Sequence, residues 1–241
     1  MISSFYYAVL AGLMDVLGGA LVVTPARRSR RFLSFLVGFG AGFMLAVALL
    51  EMLPAAITAQ GGITAVLIGY LLVHLTQHTL TPHFHFGEET HAHEMVSQGI
   101  GGWALVGLLP HALFDGVAIS SAFLSSAALG TLVFTAVALH KVPEGVSLAS
   151  VMLASHNSAR RAVGGVASIA VATIVGALVT PRLELLVRYG LALSAGVTIY
   201  VAASNLIPES QREREKGWLV PGGVFLGVLA FYLIRLALPA A

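Results

Sequence analysis

Two short stretches of apolar sequence carry the residues whose chemistry stands out. His111 is followed four positions later by Asp115, and His140 is followed four positions later by Glu144. Residues four apart share one face of a helix, so each pair points in a single direction. Lys141 lies directly beside the second histidine. Ionised groups in apolar surroundings are costly unless they are paired, hydrated or bound to an ion.

The spacing of the two pairs predicts that they meet. His111 and Glu144 are equidistant from the segment between the pairs, and so are Asp115 and His140. Across a tight turn between antiparallel helices, such residues lie at equal depth and form a square of two imidazoles and two carboxylates. That set suits a borderline divalent metal such as zinc. Neutral hydrogen bonds between the helices are the alternative, and the matched depth of the pairs favours the ion site.

The composition places this chemistry in a membrane. The 241 residues are 57% hydrophobic and 10% charged, with a mean hydropathy of +0.89, whereas soluble domains carry about 25% charged residues. The chain has no cysteine, which excludes disulfides and thiolate metal sites. Its net charge of +2 comes with basic residues in short loops, a pattern that indicates membrane topology and not nucleic-acid binding.

The apolar segments predict an all-α polytopic membrane protein that forms a single transmembrane domain over residues 1–241. A bilayer-spanning helix needs roughly 20 mostly apolar residues. Breaks at charged or Pro/Gly-rich positions leave eight such segments, at about 3–23, 33–57, 62–81, 100–125, 128–154, 162–180, 188–208 and 217–238.

The distribution of basic residues predicts the orientation of these segments. With the N-terminus outside, nine lysines and arginines lie in cytoplasmic loops and three lie towards the outer side, in keeping with the positive-inside rule. Both termini are then expected on the outer side of a plasma (inner) membrane. The first segment is interpreted as a retained span and not as a cleaved signal peptide, because no basic region precedes it.

An internal similarity links the second and seventh predicted spans. Residues 41–54 and 195–208 are identical at five of fourteen positions, and a polar residue, Glu51 or Asn205, stands three positions before each final proline. The two copies run in opposite directions across the membrane. Inverted repeats of this kind commonly flank a transport site, although chance similarity between two Ala/Leu-rich helices is the alternative.

The paired motifs resemble a known family. HALFDG and HKVPEG, together with AGFMLAVALLEMLPAA in the second span and AGVTIYVAASNLIPES in the seventh, are similar to the ZIP (Zrt-, Irt-like protein) metal transporters of prokaryotic type. The resemblance implies a 3+2+3 bundle with an inverted repeat, in which helices 1–3 and 6–8 surround helices 4–5. It also implies a metal site between helices 4 and 5.

The resemblance implies roles for individual residues. The positions that match the primary metal site, including a methionine of the second span, are Met44, His111, Asp115, His140 and Glu144. Glu51 matches a polar position near the outer mouth, and Asn205 and Glu209 match positions towards the inner end.

This chain departs from the family pattern where many members bind a second metal ion. The asparagine, acid and glutamate expected there are replaced by Ala112, Lys141 and Thr173. The sequence therefore predicts a single-metal variant in which the ammonium of Lys141 takes the place of the second cation.

Other histidines suggest an exit route on the cytoplasmic side. His74 and His78 share a helix face near the end of the third span. The segment 82–98 that follows is expected to form a His-rich cytoplasmic loop with weak affinity for metal ions, through His83, His85, His91 and His93. A solvated loop without a required role is the alternative.

The predicted function is import of a divalent metal ion into the cytoplasm by alternating access of the flanking helices against the helix 4–5 hairpin. Zn²⁺ is the expected substrate, with Fe²⁺, Mn²⁺, Co²⁺ and Cd²⁺ as further candidates, and no catalytic cofactor is expected. A passive divalent-cation channel is the first alternative and an intramembrane zinc hydrolase the second, although the chain is expected not to be an enzyme. The expected partners are the metal ion and the lipid bilayer, with a homodimer as a possible assembly and no nucleic acid.

Overall fold

Helices make up almost all of the part of the chain that the structure describes. A computed structural model describes residues 2–23, 30–79, 98–210 and 218–237. Its helices are α1 (Ile2–Val23), α2 (Arg30–Val47), α3 (Leu53–Ile57), α4 (Gly62–Thr79), α5 (Gln98–Ser125), α6 (Ala127–Ala154), α7 (Ala159–Val179), α8 (Glu184–Tyr200), α9 (Ile207–Ser210) and α10 (Leu219–Ala237). These ranges contain no strand, which confirms the prediction of an all-α fold.

Six helical segments are long and apolar enough to cross a bilayer. They are Ser4–Val23, Ser34–Ile57, Gly101–Ser125, Ala127–Leu153, Ala159–Arg182 and Glu184–Leu206. The third and eighth predicted spans correspond to α4 and α10, which are helical but fall short of this length and hydropathy within the described residues. The crossing of the membrane by these two helices stays a prediction, and so does the 3+2+3 arrangement.

Two of the six segments contain a short stretch of π-helix. Residues Ala48–Met52 join α2 to α3, and residues Val201–Leu206 join α8 to α9. Pro54 and Pro208 follow closely. Proline has no N–H to donate to the carbonyl four residues earlier, and π-helical pairing with the fifth residue back keeps the neighbouring backbone helical.

The two π-helical stretches coincide with the internal similarity of the sequence. The N–H of Leu53 donates to the carbonyl of Ala48, and the N–H of Ile207 donates to the carbonyl of Ala202. These two bonds join equivalent positions of the segments 41–54 and 195–208. Both copies of the sequence motif therefore have the same local deviation from α-helical geometry.

Four helix pairs approach each other so closely that their backbones touch. Each helix of such a pair contributes one glycine, and a Cβ there would lie 1.8–2.2 Å from a carbonyl oxygen of the other helix. Small residues allow this close packing between membrane helices. The reciprocal glycines are Gly18 and Gly145 between α1 and α6, Gly116 and Gly176 between α5 and α7, Gly42 and Gly227 between α2 and α10, and Gly69 and Gly196 between α4 and α8.

The contacts divide the long helices into two groups. Helices α1, α5, α6 and α7 pack on one another and form the first group. The close pairs α2 with α10 and α4 with α8 meet through the two π-helical stretches and form the second group. The groups meet mainly where α5 packs on α8 and α2 packs on α6. The residues with matched spacing on α5 and α6 therefore lie in the first group, close to its border with the second.

Candidate metal centre

A hairpin of α5 and α6 positions the two His-acid pairs. Ser126 is the single residue between these helices, and its side-chain Oγ accepts a hydrogen bond of 3.1 Å from the N–H of Leu129, which caps the start of α6. Because this connection is so short, α5 and α6 run side by side in opposite directions. His111 and Asp115 each lie three residues nearer to Ser126 along the chain than their counterparts Glu144 and His140, so the connection comes before the midpoint on which the predicted square was centred.

The four side chains meet in the interior. The Nε2 atom of His111 lies 3.4 Å from Oδ2 of Asp115 and 3.8 Å from Oε2 of Glu144. The Nε2 atom of His140 lies 3.4 Å and 3.7 Å from the same two oxygens. One possible ligand atom from each side chain lies within 4.8 Å of the others, and all four residues are buried. Two imidazoles and two carboxylates thus surround one point.

The tautomer of His140 follows from its hydrogen bond. Its Nδ1 atom lies 3.0 Å from the carbonyl oxygen of Ala136, and since a carbonyl can only accept, Nδ1 carries the proton. In the neutral ring, Nε2 then presents a lone pair towards the carboxylate oxygens of Asp115 and Glu144. No hydrogen bond to His140 Nε2 occurs within the described part of the chain. A lone pair facing carboxylate oxygens suits a cation, and an orienting bond at the other ring nitrogen is typical of metal-binding histidines.

Lys141 lies beside this centre and is fully buried. Its Nζ donates a hydrogen bond of 2.8 Å to Oε2 of Glu144 and lies 2.8 Å from Oδ2 of Asp115. Oδ2 of Asp15, a fully buried residue of α1, lies 3.4 Å from the same nitrogen. The buried ammonium is therefore surrounded by three carboxylates.

Asp15 was not assigned a role from the sequence. Its position in the first span showed only that an acid lies in apolar sequence, and no motif linked it to residues more than a hundred positions away. Its proximity to Lys141 follows from the packing of α1 on α6, where Gly145 lies against the carbonyl of Asp15. The signal in the sequence was an acid in an apolar helix that contains no basic residue to pair with it.

Two of the positions predicted for a second metal ion, Ala112 and Thr173, lie on the flank of the centre formed by α5 and α7, and neither residue carries a charge. Ala112 is fully buried in a small apolar cluster between α5, α6 and α7. Thr173 is also fully buried, and its hydroxyl donates a bond of 3.3 Å to the carbonyl of Ile169 on its own helix. Met44 is fully buried on α2, within the larger apolar cluster.

The residues predicted for the ion pathway lie in two separate places. Glu51 forms an ion pair of 2.6 Å with Nε of Arg235 on α10. The side-chain amide of Asn205 donates a bond of 3.1 Å to Oε1 of Gln77 on α4. Sequence reasoning missed Arg235 and Gln77 as partners, because each lies far along the chain from the residue it contacts.

The histidines near the end of α4 are exposed, and their rings contact each other at an interplanar angle of 34°. The rings of His74 and His78 are 4.2 Å apart, and Nδ1 of His78 donates to the carbonyl of His74 at 2.8 Å. The remaining predicted pathway residues lie outside what the structure describes: the side chain of Glu209 and the loop histidines His83, His85, His91 and His93.

A helical membrane protein with a buried histidine–carboxylate centre belongs to the class of polytopic membrane proteins equipped to bind a metal ion. Comparison with known families gives the particular assignment. The family model described as ZIP zinc transporter matches residues 74–235, which is most of the chain and includes all four side chains of the centre. The chain belongs to the ZIP family of zinc transporters, as the resemblance of its motifs predicted.

Curated relatives share a shorter region with this chain. It is 40% identical over 83 residues to a protein named zinc transporter ZupT from Shigella dysenteriae serotype 1 (strain Sd197). It is 39% identical over 83 residues to proteins of the same name from Escherichia coli O1:K1 / APEC and Escherichia coli O9:H4 (strain HS). In each case the matched region covers 32% of this chain and 32% of the relative, so the similarity spans about a third of either protein.

Proposed function

We propose that this protein imports divalent metal ions, Zn²⁺ first among them, into the cytoplasm. The observation that carries the proposal is the meeting of two imidazoles and two carboxylates at one buried point of a ZIP-family chain. An isolated charge in a bilayer costs about 2.5–3.5 kcal/mol, so such a concentration of ionisable groups requires compensation. Transport of zinc is also what the names of the curated relatives state.

The ligand set that we propose is His111, Asp115, His140 and Glu144, with Met44 approaching from α2. Nitrogen and oxygen ligands without thiolates bind zinc and also accept other divalent ions. Fe²⁺, Mn²⁺, Co²⁺ and Cd²⁺ therefore remain candidate substrates. The same set favours release, because protons compete with the metal for histidine and carboxylate ligands.

We further propose that the centre holds a single ion. The flank of the centre formed by α5 and α7 carries Ala112 and Thr173, neither of which supplies a charge. On the other flank, Lys141 already contacts both carboxylates of the centre. A second dication would face this ammonium at short range, and like charges at such distances repel strongly in a buried site.

The number of bound ions tests this part of the proposal. The full-length protein, purified in detergent and loaded with zinc, is expected to contain one ion per chain, and Lys141→Asp is expected to contain two. Metal analysis after removal of excess zinc gives the ratio. A Lys141→Asp protein that still holds one ion would refute the substitution of lysine for a cation.

The movement that we propose is alternating access. The π-helical stretches lie in the second and seventh predicted spans, outside the hairpin. Reciprocal glycines hold α1 against α6 and α7 against α5. This packing favours movement of α1 and α7 together with the hairpin, against α2, α4, α8 and α10. It is a narrower form of the prediction that the flanking helices move against the helix 4–5 hairpin, and that prediction is tested neither by the fold nor by the relatives.

The proposed route begins at Glu51 and leaves past Asn205, Glu209, His74 and His78 towards the His-rich loop 82–98. It assumes the orientation predicted from the basic residues, with both termini on the outer side of the plasma membrane. In this orientation Glu51 lies at the outer end and attracts the cation. The loop would collect the ion weakly after it leaves the membrane.

Uptake into proteoliposomes tests the function itself. His111→Ala and Glu144→Ala are each expected to lower the initial rate of Zn²⁺ uptake by more than about tenfold, since loss even of groups that only orient ligands commonly has this effect. His156→Asn is the matched control, because His156 is exposed and has a positive φ of 57° that asparagine tolerates. Unchanged uptake in both centre variants would refute the proposal. Uptake that rises linearly with concentration without saturation would favour the channel alternative.

A further inference from the structure

The contacts of Lys141 conflict with the binding of a metal ion at the centre. Its ammonium group contacts Oδ2 of Asp115 and Oε2 of Glu144. The same two oxygens face Nε2 of both histidines. A carboxylate oxygen has lone pairs for more than one partner, so these hydrogen bonds alone do not exclude a dication between the imidazoles. The dication repels the ammonium at this range, and this repulsion favours a shift of Lys141 away from the two oxygens when the ion binds.

Asp15 is placed to receive the ammonium group. Its Oδ2 atom is 3.4 Å from Nζ of Lys141. Neither of its carboxylate oxygens accepts a hydrogen bond within the described residues, although both are buried. A lysine ammonium has three donors on a flexible stem, so a shift of less than an ångström would bring it into hydrogen-bond contact with Asp15.

We propose that Lys141 and Asp15 form an exchange device for the metal centre. Lys141 binds Asp115 and Glu144 and offsets part of their negative charge before the ion arrives, and it transfers its hydrogen bonds to Asp15 as the ion takes those oxygens. Release of the ion reverses the exchange. Asp15 is thus a positioning residue that acts on the metal through Lys141. The inference rests on the proposed function and adds a residue of α1 to it.

The charges support this role for Asp15. With the ion bound, the dication balances Asp115 and Glu144, and Lys141 balances Asp15, so that the buried cluster is neutral. Without the carboxylate of Asp15, the same cluster would carry one uncompensated positive charge. Removal of one partner of a buried ion pair is strongly unfavourable, and here the cost falls on the metal-bound state.

A purely structural role for Asp15 gives a different expectation. In that case Asp15 would anchor Lys141 and the contact of α1 with α6, and its removal would lower stability without a specific effect on metal affinity. A double-mutant cycle separates the two roles, because it isolates the part of the effect that depends on Lys141.

The experiment is a Co²⁺ titration of the full-length protein in detergent, followed by the d–d absorption of the bound ion. Asp15→Asn is expected to weaken affinity about 10–100-fold, the range typical of groups that orient metal ligands. In the Lys141→Met background the same substitution is expected to change affinity by less than about threefold, because the interaction it removes is already absent. An equal loss in both backgrounds, or no loss in either, would overturn the exchange.

Two further variants keep the test decisive. Asp15→Glu retains the charge and is expected to stay within about threefold of the parent, since the same ion pair is available. If Asp15→Asn alone does not yield folded protein by gel filtration, Asp15→Thr combined with Lys141→Ala gives the answer. That variant copies the Thr173 and Ala112 flank, and it is expected to bind Co²⁺ at least as tightly as the parent. A large loss of affinity in it would overturn the exchange, because in the exchange Asp15 serves only to receive Lys141, and removal of both leaves the metal ligands unchanged.

Failure of the exchange and failure of the proposed function give different results. A parent protein that binds neither Co²⁺ nor Zn²⁺ contradicts the function and the exchange together. A parent protein that binds and transports the metal, with an additive cycle, contradicts the exchange alone.

Discussion

The two flanks of the metal centre share a backbone arrangement and differ in chemistry. On one flank, Gly145 of α6 lies against the carbonyl of Asp15 in α1. On the other flank, Gly116 of α5 lies against the carbonyl of Thr173 in α7. Each glycine directly follows an acid of the centre. Asp15 and Thr173 thus occupy corresponding places.

The residues that directly follow the two histidines also differ between the flanks. Lys141 follows His140 on the flank that contains Asp15, and Ala112 follows His111 on the flank that contains Thr173. The acid and the base therefore occur together on one side, and neither occurs on the other. The comparison indicates that glycine contacts determine how the helices pack, whereas the two side chains on one flank determine the charge beside the centre.

The largest expected effect concerns what the flanks share. Gly116→Ala and Gly145→Ala each place a Cβ about 2 Å from a backbone carbonyl, and both are expected to lower stability by about 1–3 kcal/mol or to prevent assembly. Gly164→Ala is the control, because a Cβ there meets no atom within 4 Å, and it is expected to be neutral or slightly stabilising. Thermal unfolding in detergent measures the difference. A flank that tolerates its alanine would show that the packing is not equivalent.

A transplant of the charged pair tests what the flanks do not share. The variant Asp15→Thr/Lys141→Ala/Ala112→Lys/Thr173→Asp moves the acid and the base to the α5 and α7 flank. It is expected to bind Zn²⁺ about 10–100-fold more tightly than the same variant without Thr173→Asp, in which the new lysine lacks its counter-ion. Isothermal titration of both proteins measures this ratio. Equal affinities would mean that the two flanks are not interchangeable.

The smallest effects concern two polar contacts made by residues of the π-helical stretches, one between charged groups and one between neutral amides. The Asn205–Gln77 amide pair is buried, so Gln77→Leu is expected to cost about 0.5–1.5 kcal/mol of stability. Glu51 and Arg235 are 22% and 40% exposed, so Glu51→Gln is expected to cost at most about 1 kcal/mol, a loss that shrinks in high salt. Unfolding at low and high salt distinguishes them, and the reverse order of costs would contradict this comparison.

Local sequence carried much of the information about the centre. The spacing of His111, Asp115, His140 and Glu144 predicted their meeting because two helices joined by a tight turn have few degrees of freedom. Ser126 lies slightly before the midpoint of the two pairs, so the spacing indicated the depth of the four residues only approximately, and the packing of α5 on α6 determined their final register. The apolar runs predicted the long helices because a membrane segment must satisfy its backbone hydrogen bonds internally.

Long-range partners were beyond this reasoning. Gln77 and Asn205, like Glu51 and Arg235, come together through the packing of helices that lie far apart in the chain. The prolines at 54 and 208 ended the repeated motif of the sequence but did not specify π-helical stretches before them. That choice depends on which carbonyls the neighbouring N–H groups can reach in the folded protein.

The sequence by itself determined the helices, the side-chain types of the candidate centre and the approximate depth of the two His-acid pairs, because each depends on residues within one helix or one hairpin. Only the tertiary structure decided which acid accompanies Lys141. Asp15 reaches it because reciprocal glycines bring α1 against α6, and such a contact depends on the packing of two helices that no short-range pattern connects.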